Sequence, residues 1–184
     1  LYNPVERPDA SFCATYLGGN KEDWDALNQG ELISGTRAAW DQLNALLSLD
    51  MANHTNYQRL LGNNPDGTRN PAYEVLLNVP SLVDYMILNF YVGNTDWPGR
   101  NWWVGRNRDD GDGFQFYPWD TETALRDLNT NVTSANSAVA RPYAALRANA
   151  RFRMLFADHV HRHFFNGGAL YVNPDRPAWD PEHP

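Results

Sequence analysis

The sequence predicts an α+β domain, mainly helical, with one β-hairpin. Residues 79–92 are apolar almost all round, through Leu82, Val83, Tyr85, Met86, Ile87, Leu88, Phe90 and Tyr91, which is the pattern of a helix buried at a domain centre. Two β-prone runs, Trp102-Trp-Val-Gly-Arg106 and Phe114-Gln-Phe-Tyr-Pro-Trp119, flank the polar, glycine-bearing Asn107-Arg-Asp-Asp-Gly-Asp-Gly113 and read as a hairpin. Further helical spacing recurs before and after these segments.

In chain order, residues 1–8 read as a strand running into a turn, because Pro4 and Pro8 exclude a helix. Over 36–49, Trp40, Leu43, Leu46 and Leu47 define an amphipathic helix that Ser34 or Thr36 can cap. Gly62-Asn-Asn-Pro-Asp-Gly-Thr-Arg-Asn-Pro71 is a surface loop. The central helix ends at Gly93-Asn94, and Pro98 and Gly99 keep the next segment, Thr95 to Asn101, out of helical conformation. Asp120 stands at the far end of the hairpin. A polar stretch, 128–139, is read as mobile; helices resume at 142–148 and 151–165, the latter closed by Gly167-Gly168. Residues 1–172 form one domain, and 173–184 a Pro-rich tail, extended or loosely docked.

Composition narrows the function. A chain of 184 residues with 42% hydrophobic content and seven Trp supports one cooperative core. A net charge of −7 with no clustered cations argues against nucleic acid as a partner. Cys13 is the single cysteine, which excludes an intrachain disulfide and a cysteine zinc site and leaves the redox compartment open. The longest strongly apolar stretch, 85–92, is far below the ~20 residues of a membrane span. The chain opens at Leu1 without Met, basic leader or apolar signal core, so it reads as a fragment whose true start has been removed.

The residues that carry chemistry follow the central helix. Phosphoryl transfer requires a carboxylate to orient the attacking hydroxyl and oxygen ligands for magnesium. In protein kinases the carboxylate and one metal-binding Asn come from a loop spaced Asp-x-x-x-x-Asn, and a second metal-binding Asp follows a short hairpin. Here the buried helix leads into Asp96-Trp-Pro-Gly-Arg-Asn101, and the hairpin returns the chain to Asp120. Asp96 is then the base or orienting carboxylate, and Asn101 and Asp120 the magnesium ligands. Asn94 stands where the kinase motif has His. Taken alone, Asp, Asn, Gly and Pro are ordinary loop residues.

The segments Leu1-Tyr-Asn-Pro-Val-Glu-Arg-Pro-Asp9, Tyr16-Leu-Gly-Gly-Asn-Lys-Glu-Asp-Trp-Asp25, Asn94-Thr-Asp-Trp-Pro-Gly-Arg-Asn-Trp102, Trp119-Asp-Thr-Glu122 and Phe164-Phe-Asn-Gly-Gly-Ala-Leu170 resemble the CotH (spore-coat protein H) kinase family. The resemblance implies the large, C-terminal lobe of a protein-kinase-like fold whose hairpin carries the metal site. It also implies ATP and Mg as cofactors, phosphorylation of Ser or Thr in a protein substrate, and an extracellular, cell-surface or spore-coat setting. Its matched positions are Asp96, Asn101 and Asp120. The small lobe, with the lysine that contacts the phosphates, is expected ahead of Leu1. Lys21, the only lysine, is not given that role. Glu6 is the candidate nucleotide contact at the adenine; a surface ion pair with Arg7 or another Arg is its plainer reading. Without the small lobe the activity of this fragment is in doubt. The alternative is a non-catalytic surface or coat protein using a kinase-like fold for adhesion or assembly.

Other residues are less telling. His159 and His163, four apart on a predicted helix with His161 between them, have a spacing able to chelate zinc. The stripe of Phe152, Phe156, Val160 and Phe164 sets these histidines at the core border or in solvent instead. Asp109, Asp110 and Asp112 do not fit a calcium-binding EF-hand loop and read as a solvated turn. Glu122 either supports the metal site or begins a turn. Trp97, Trp102, Trp103 and Trp119 read as core packing. Asn53-His-Thr55 and Asn131-Val-Thr133 match the N-glycosylation pattern, which has meaning only in a eukaryotic secretory route.

Overall fold

A computed structural model of the chain describes residues 5–109 and 111–175. The described residues contain helices α1 (Ala10–Leu17), α2 (Ala38–Leu46), α3 (His54–Leu60), α4 (Val79–Tyr91), α5 (Arg141–Leu146) and α6 (Ala150–Phe164), and strands β1 (Trp24–Asn28), β2 (Glu31–Ser34), β3 (Trp102–Asn107) and β4 (Gln115–Pro118). The strands form one antiparallel sheet in the order β2-β1-β3-β4.

The hairpin of β3 and β4 forms as its sequence predicts, with Trp103 opposite Tyr117 and Val104 opposite Phe116. The β1–β2 hairpin was not expected from the sequence. Asn28 pairs with Glu31 across Gln29 and Gly30, both at positive φ (52° and 85°), the conformation that tight two-residue hairpin turns require.

Strand β3 is buried along its whole length because both faces of the sheet are covered. Leu27, Trp102, Val104 and Phe116 join the main core with α2, α3 and α4. On the other face, Ala10, Cys13 and Trp24 form a smaller cluster with Tyr117 packed against it. Helix α1 approaches β3 so closely that a Cβ on Gly105 would lie 2.9 Å from Cys13 Sγ. Asp9 caps α1, its carboxylate accepting from the amides of Ser11 and Phe12 at 2.9 and 3.0 Å.

Helix α4 begins at an Asn78 cap that accepts from the Ser81 amide at 3.0 Å, with Pro80 in the first turn. The Ser81 hydroxyl in turn accepts from the Phe116 amide at 3.0 Å, which ties the start of α4 to β4. Helices α5 and α6 pack on the opposite side of α4 through rings: Phe90 lies 5.2 Å from Tyr143 and Tyr91 5.3 Å from Phe164.

Two readings need correction. The opening strand is not seen where it can be followed: Val5–Pro8 has no regular structure, and residues 1–4 lie outside the described set. Stretch 128–139 is partly anchored, because Val139 is buried and Val132 and Ala135 pack against the core. Of the Pro-rich tail, 176–184 lies outside the described residues. No helix is long and apolar enough to cross a membrane.

Candidate functional site

The site is assembled at the C-terminal end of α4. Asn94 is fully buried, and its side chain bridges the helix to a later turn. Its Nδ2 donates to Asn89 Oδ1 at 3.0 Å, and its Oδ1 accepts from Thr123 Oγ1 at 2.8 Å. Asn89 Nδ2 donates to the Tyr85 carbonyl at 2.9 Å, one turn back, and Thr123 Oγ1 accepts from the Asp96 amide at 3.3 Å. A continuous hydrogen-bond chain therefore runs from the middle of α4 to the backbone of Asp96. The Leu125 amide, donating to the Val92 carbonyl at 2.7 Å, fastens the same turn to the helix end.

Trp97 locks the loop from below. Its indole Nε1 donates to the Tyr85 hydroxyl at 2.8 Å, and its ring meets Tyr85 and Phe90 edge-on at 6.1 and 6.0 Å. Burial pushes the Tyr85 phenol far above its ordinary range, against the opposing effect of the Trp97 hydrogen bond, so it serves as a neutral acceptor. The Trp97–Pro98 peptide bond is cis.

This scaffold brings the three predicted residues together. Asn101 Nδ2 donates to Asp96 Oδ2 at 2.9 Å and to the Asp120 carbonyl at 3.1 Å. Asn101 and Asp120 both hold positive φ, 58° and 48°, which Asn and Asp tolerate better than other side chains. With the Asn101 nitrogen engaged twice, its Oδ1 accepts no hydrogen bond among the described residues, nor do Asp96 Oδ1 and the Asp120 carboxylate. The free ends are all oxygens, the donor type that suits a hard cation such as magnesium.

The remaining candidates fall elsewhere. Glu6 is exposed and accepts from the Tyr16 hydroxyl at 2.8 Å rather than pairing with Arg7; among the described residues it touches none of Asp96, Asn101 and Asp120. Lys21 is on the surface, 3.9 Å from Glu22. Glu122 is exposed, and its carbonyl accepts from Arg126 Nε at 3.2 Å. Trp97, Trp102 and Trp103 are buried as core packing requires, and Trp119 sits edge-on to Trp103 at 6.0 Å. Asp109 and Asp112 are exposed, and Asp110 is outside the described residues. The sequence reading missed Asn94 and Thr123 as supports of the site. An Asn just after a helix and a Thr three residues past a candidate ligand carry no pattern of their own.

The geometry so far defines an α+β domain in which the Asn101 amide joins the Asp96 carboxylate to the Asp120 backbone beyond one helix end. The sequence model of the family described as CotH kinase protein matches residues 1–166, and the chain belongs to that family. No curated protein and no solved structure matches the chain.

Proposed function

We propose that the domain carries the catalytic and metal-binding end of an ATP- and magnesium-dependent transferase that phosphorylates Ser or Thr of a protein substrate. The observation that carries this reading is the Asn101 amide joining Asp96 to the Asp120 backbone, together with membership of a kinase family. Asp96 orients the attacking hydroxyl and receives its proton. Asn101 Oδ1 and the Asp120 carboxylate would hold the cation. When bound, magnesium would neutralise charge on the phosphates. Glu6 is assigned to the nucleotide on the resemblance, being exposed and held only by Tyr16. The phosphate-contacting lysine is assigned to a further lobe of the intact protein, since Lys21 stands beside Glu22.

The test is transfer of labelled γ-phosphate from Mg-ATP to a Ser/Thr protein substrate by the intact protein. Asp96→Asn and Asp120→Asn should each lower transfer by about 100-fold or more while leaving the urea midpoint in place. Asn is the replacement at 120 because it accepts the positive φ. Undiminished transfer in both variants overturns the reading. If Mg-ATP neither stabilises the intact protein nor supports transfer, the protein serves adhesion or assembly at a surface or coat instead.

A further inference from the structure

His159 and His163, on successive turns of α6, both point at one carboxylate of α4. His159 Nδ1 lies 2.6 Å from Asp84 Oδ1, and His163 Nε2 lies 2.9 Å from the same oxygen. One ligand atom from each residue falls within a sphere where all are less than 4.8 Å apart, the only such group of His, Cys, Asp and Glu among the described residues. From these juxtaposed donors we propose that Asp84, His159 and His163 form a binding site for one zinc-class divalent ion, separate from the acid–amide site at Asp96.

Two imidazole nitrogens and a carboxylate oxygen are a common donor set for zinc, with a fourth position left to solvent. Tetrahedral zinc with bonds of about 2.0–2.1 Å needs its donor atoms about 3.3 Å apart. The observed 2.6 and 2.9 Å spacings must open by less than about 1 Å, within reach of side-chain rotation. The ligands stand on two rigid helices already locked together by the Tyr91–Phe164 and Phe90–Phe156 ring contacts. The site is graded in exposure: the His159 side chain is 3% accessible, His163 25% and Asp84 45%, so one wall is buried and the mouth is open.

Without the ion, the two imidazoles donate protons to Asp84, and Arg162 Nη2 stands 3.3 Å from His159 Nε2. Binding the metal through Nδ1 leaves the His159 proton on Nε2, where it opposes the Arg162 donor. The exposed Arg162 must then swing away. Removing its guanidinium should therefore help metal binding, whereas a purely structural hydrogen-bond cluster gives no such response.

The experiment is calorimetric titration of the chelator-treated full chain with zinc chloride, with cobalt(II) chloride absorption as a second readout. The wild type should take up one ion, and cobalt should give the strong visible bands of a tetrahedral complex. Asp84→Asn keeps a hydrogen-bond acceptor, and His163→Ala changes a partly exposed side chain, so both should fold. Each should weaken zinc at least about tenfold, since even residues outside a metal's own ligands cost 10–100-fold when removed. Arg162→Ala should bind more tightly than wild type, and His161→Ala should bind as wild type does. No zinc uptake by the wild type, or equal affinity in Asp84→Asn and His163→Ala, overturns the site.

Discussion

Asn101 and Asp96, five residues apart along the loop, are joined by a 2.9 Å hydrogen bond from amide to carboxylate, and the same nitrogen holds the Asp120 carbonyl at 3.1 Å. A side chain at positive φ thus does two jobs, shaping the loop and tying the Asp96 carboxylate to the Asp120 backbone. Asn101→Gly keeps the backbone and deletes the amide; Asn101→Ala deletes both. Urea denaturation should find the alanine variant less stable than the glycine variant by about 1 kcal/mol. The reverse order would show that the conformation at 101 carries no cost.

Thr123 is the link between that loop and α4. Thr123→Val keeps the shape and removes the hydroxyl, which leaves the buried Asn94 Oδ1 and the Asp96 amide without their partner. The expected loss is about 1–3 kcal/mol in denaturant unfolding, the cost of a buried polar group left unpaired. Thr123→Ser should recover most of it.

Asp25 on β1 is fully buried, its Oδ1 accepting from the Thr36 amide at 2.7 Å and from Arg108, with Arg106 Nη1 3.9 Å from Oδ2. Arg106 is itself buried and also meets Glu74 at 3.1 Å. Asp25→Ala leaves the Thr36 amide and Arg108 without their acceptor and Arg106 with Glu74 alone, and thermal unfolding should show a loss of about 1–3 kcal/mol. A loss below about 1 kcal/mol would mean that water reaches the arginines in the native state.

Burial pushes the Cys13 thiol up to about 11 from 9.0, despite the opposing hydrogen bond to Tyr117. The neutral thiol is favoured in the folded state, so its contribution is intact below pH 9 and is lost as pH rises through about 11, where the unfolded chain already carries the thiolate. Native protein should therefore resist iodoacetamide at pH 8, and urea-unfolded protein should react with one equivalent at Cys13. Equal rates in both states would place Cys13 in a fold that opens readily.

Elements with a strong local signal were legible from residues alone. The all-round apolar run over 79–92 became α4 at Val79–Tyr91, and the two aromatic runs beside Asn107–Gly113 became β3 and β4, since local periodicity and turn chemistry suffice for both. The β1–β2 hairpin went unread because β1 carries Asp25 at a buried position. The facing Arg106 and Arg108, more than eighty residues away, supply the charge that makes an acid tolerable there, beside the Thr36 amide. Helix α1 was hidden behind Pro8, although Asp9 is a cap signal that could have found it.

The sequence by itself named Asp96, Asn101 and Asp120 as a possible trio, because their types and their order around a helix and a hairpin are readable along the chain. Only the tertiary structure decided that Asn101 joins the Asp96 carboxylate to the Asp120 backbone, since the Asn94–Thr123 bridge that folds the later turn onto α4 joins residues 29 apart and has no sequence signature. The same holds for Asp84. The i,i+4 pair of His159 and His163 was visible on its own helix, but the carboxylate they share lies 75 residues upstream, and only the packing of α4 against α6 brings it within reach.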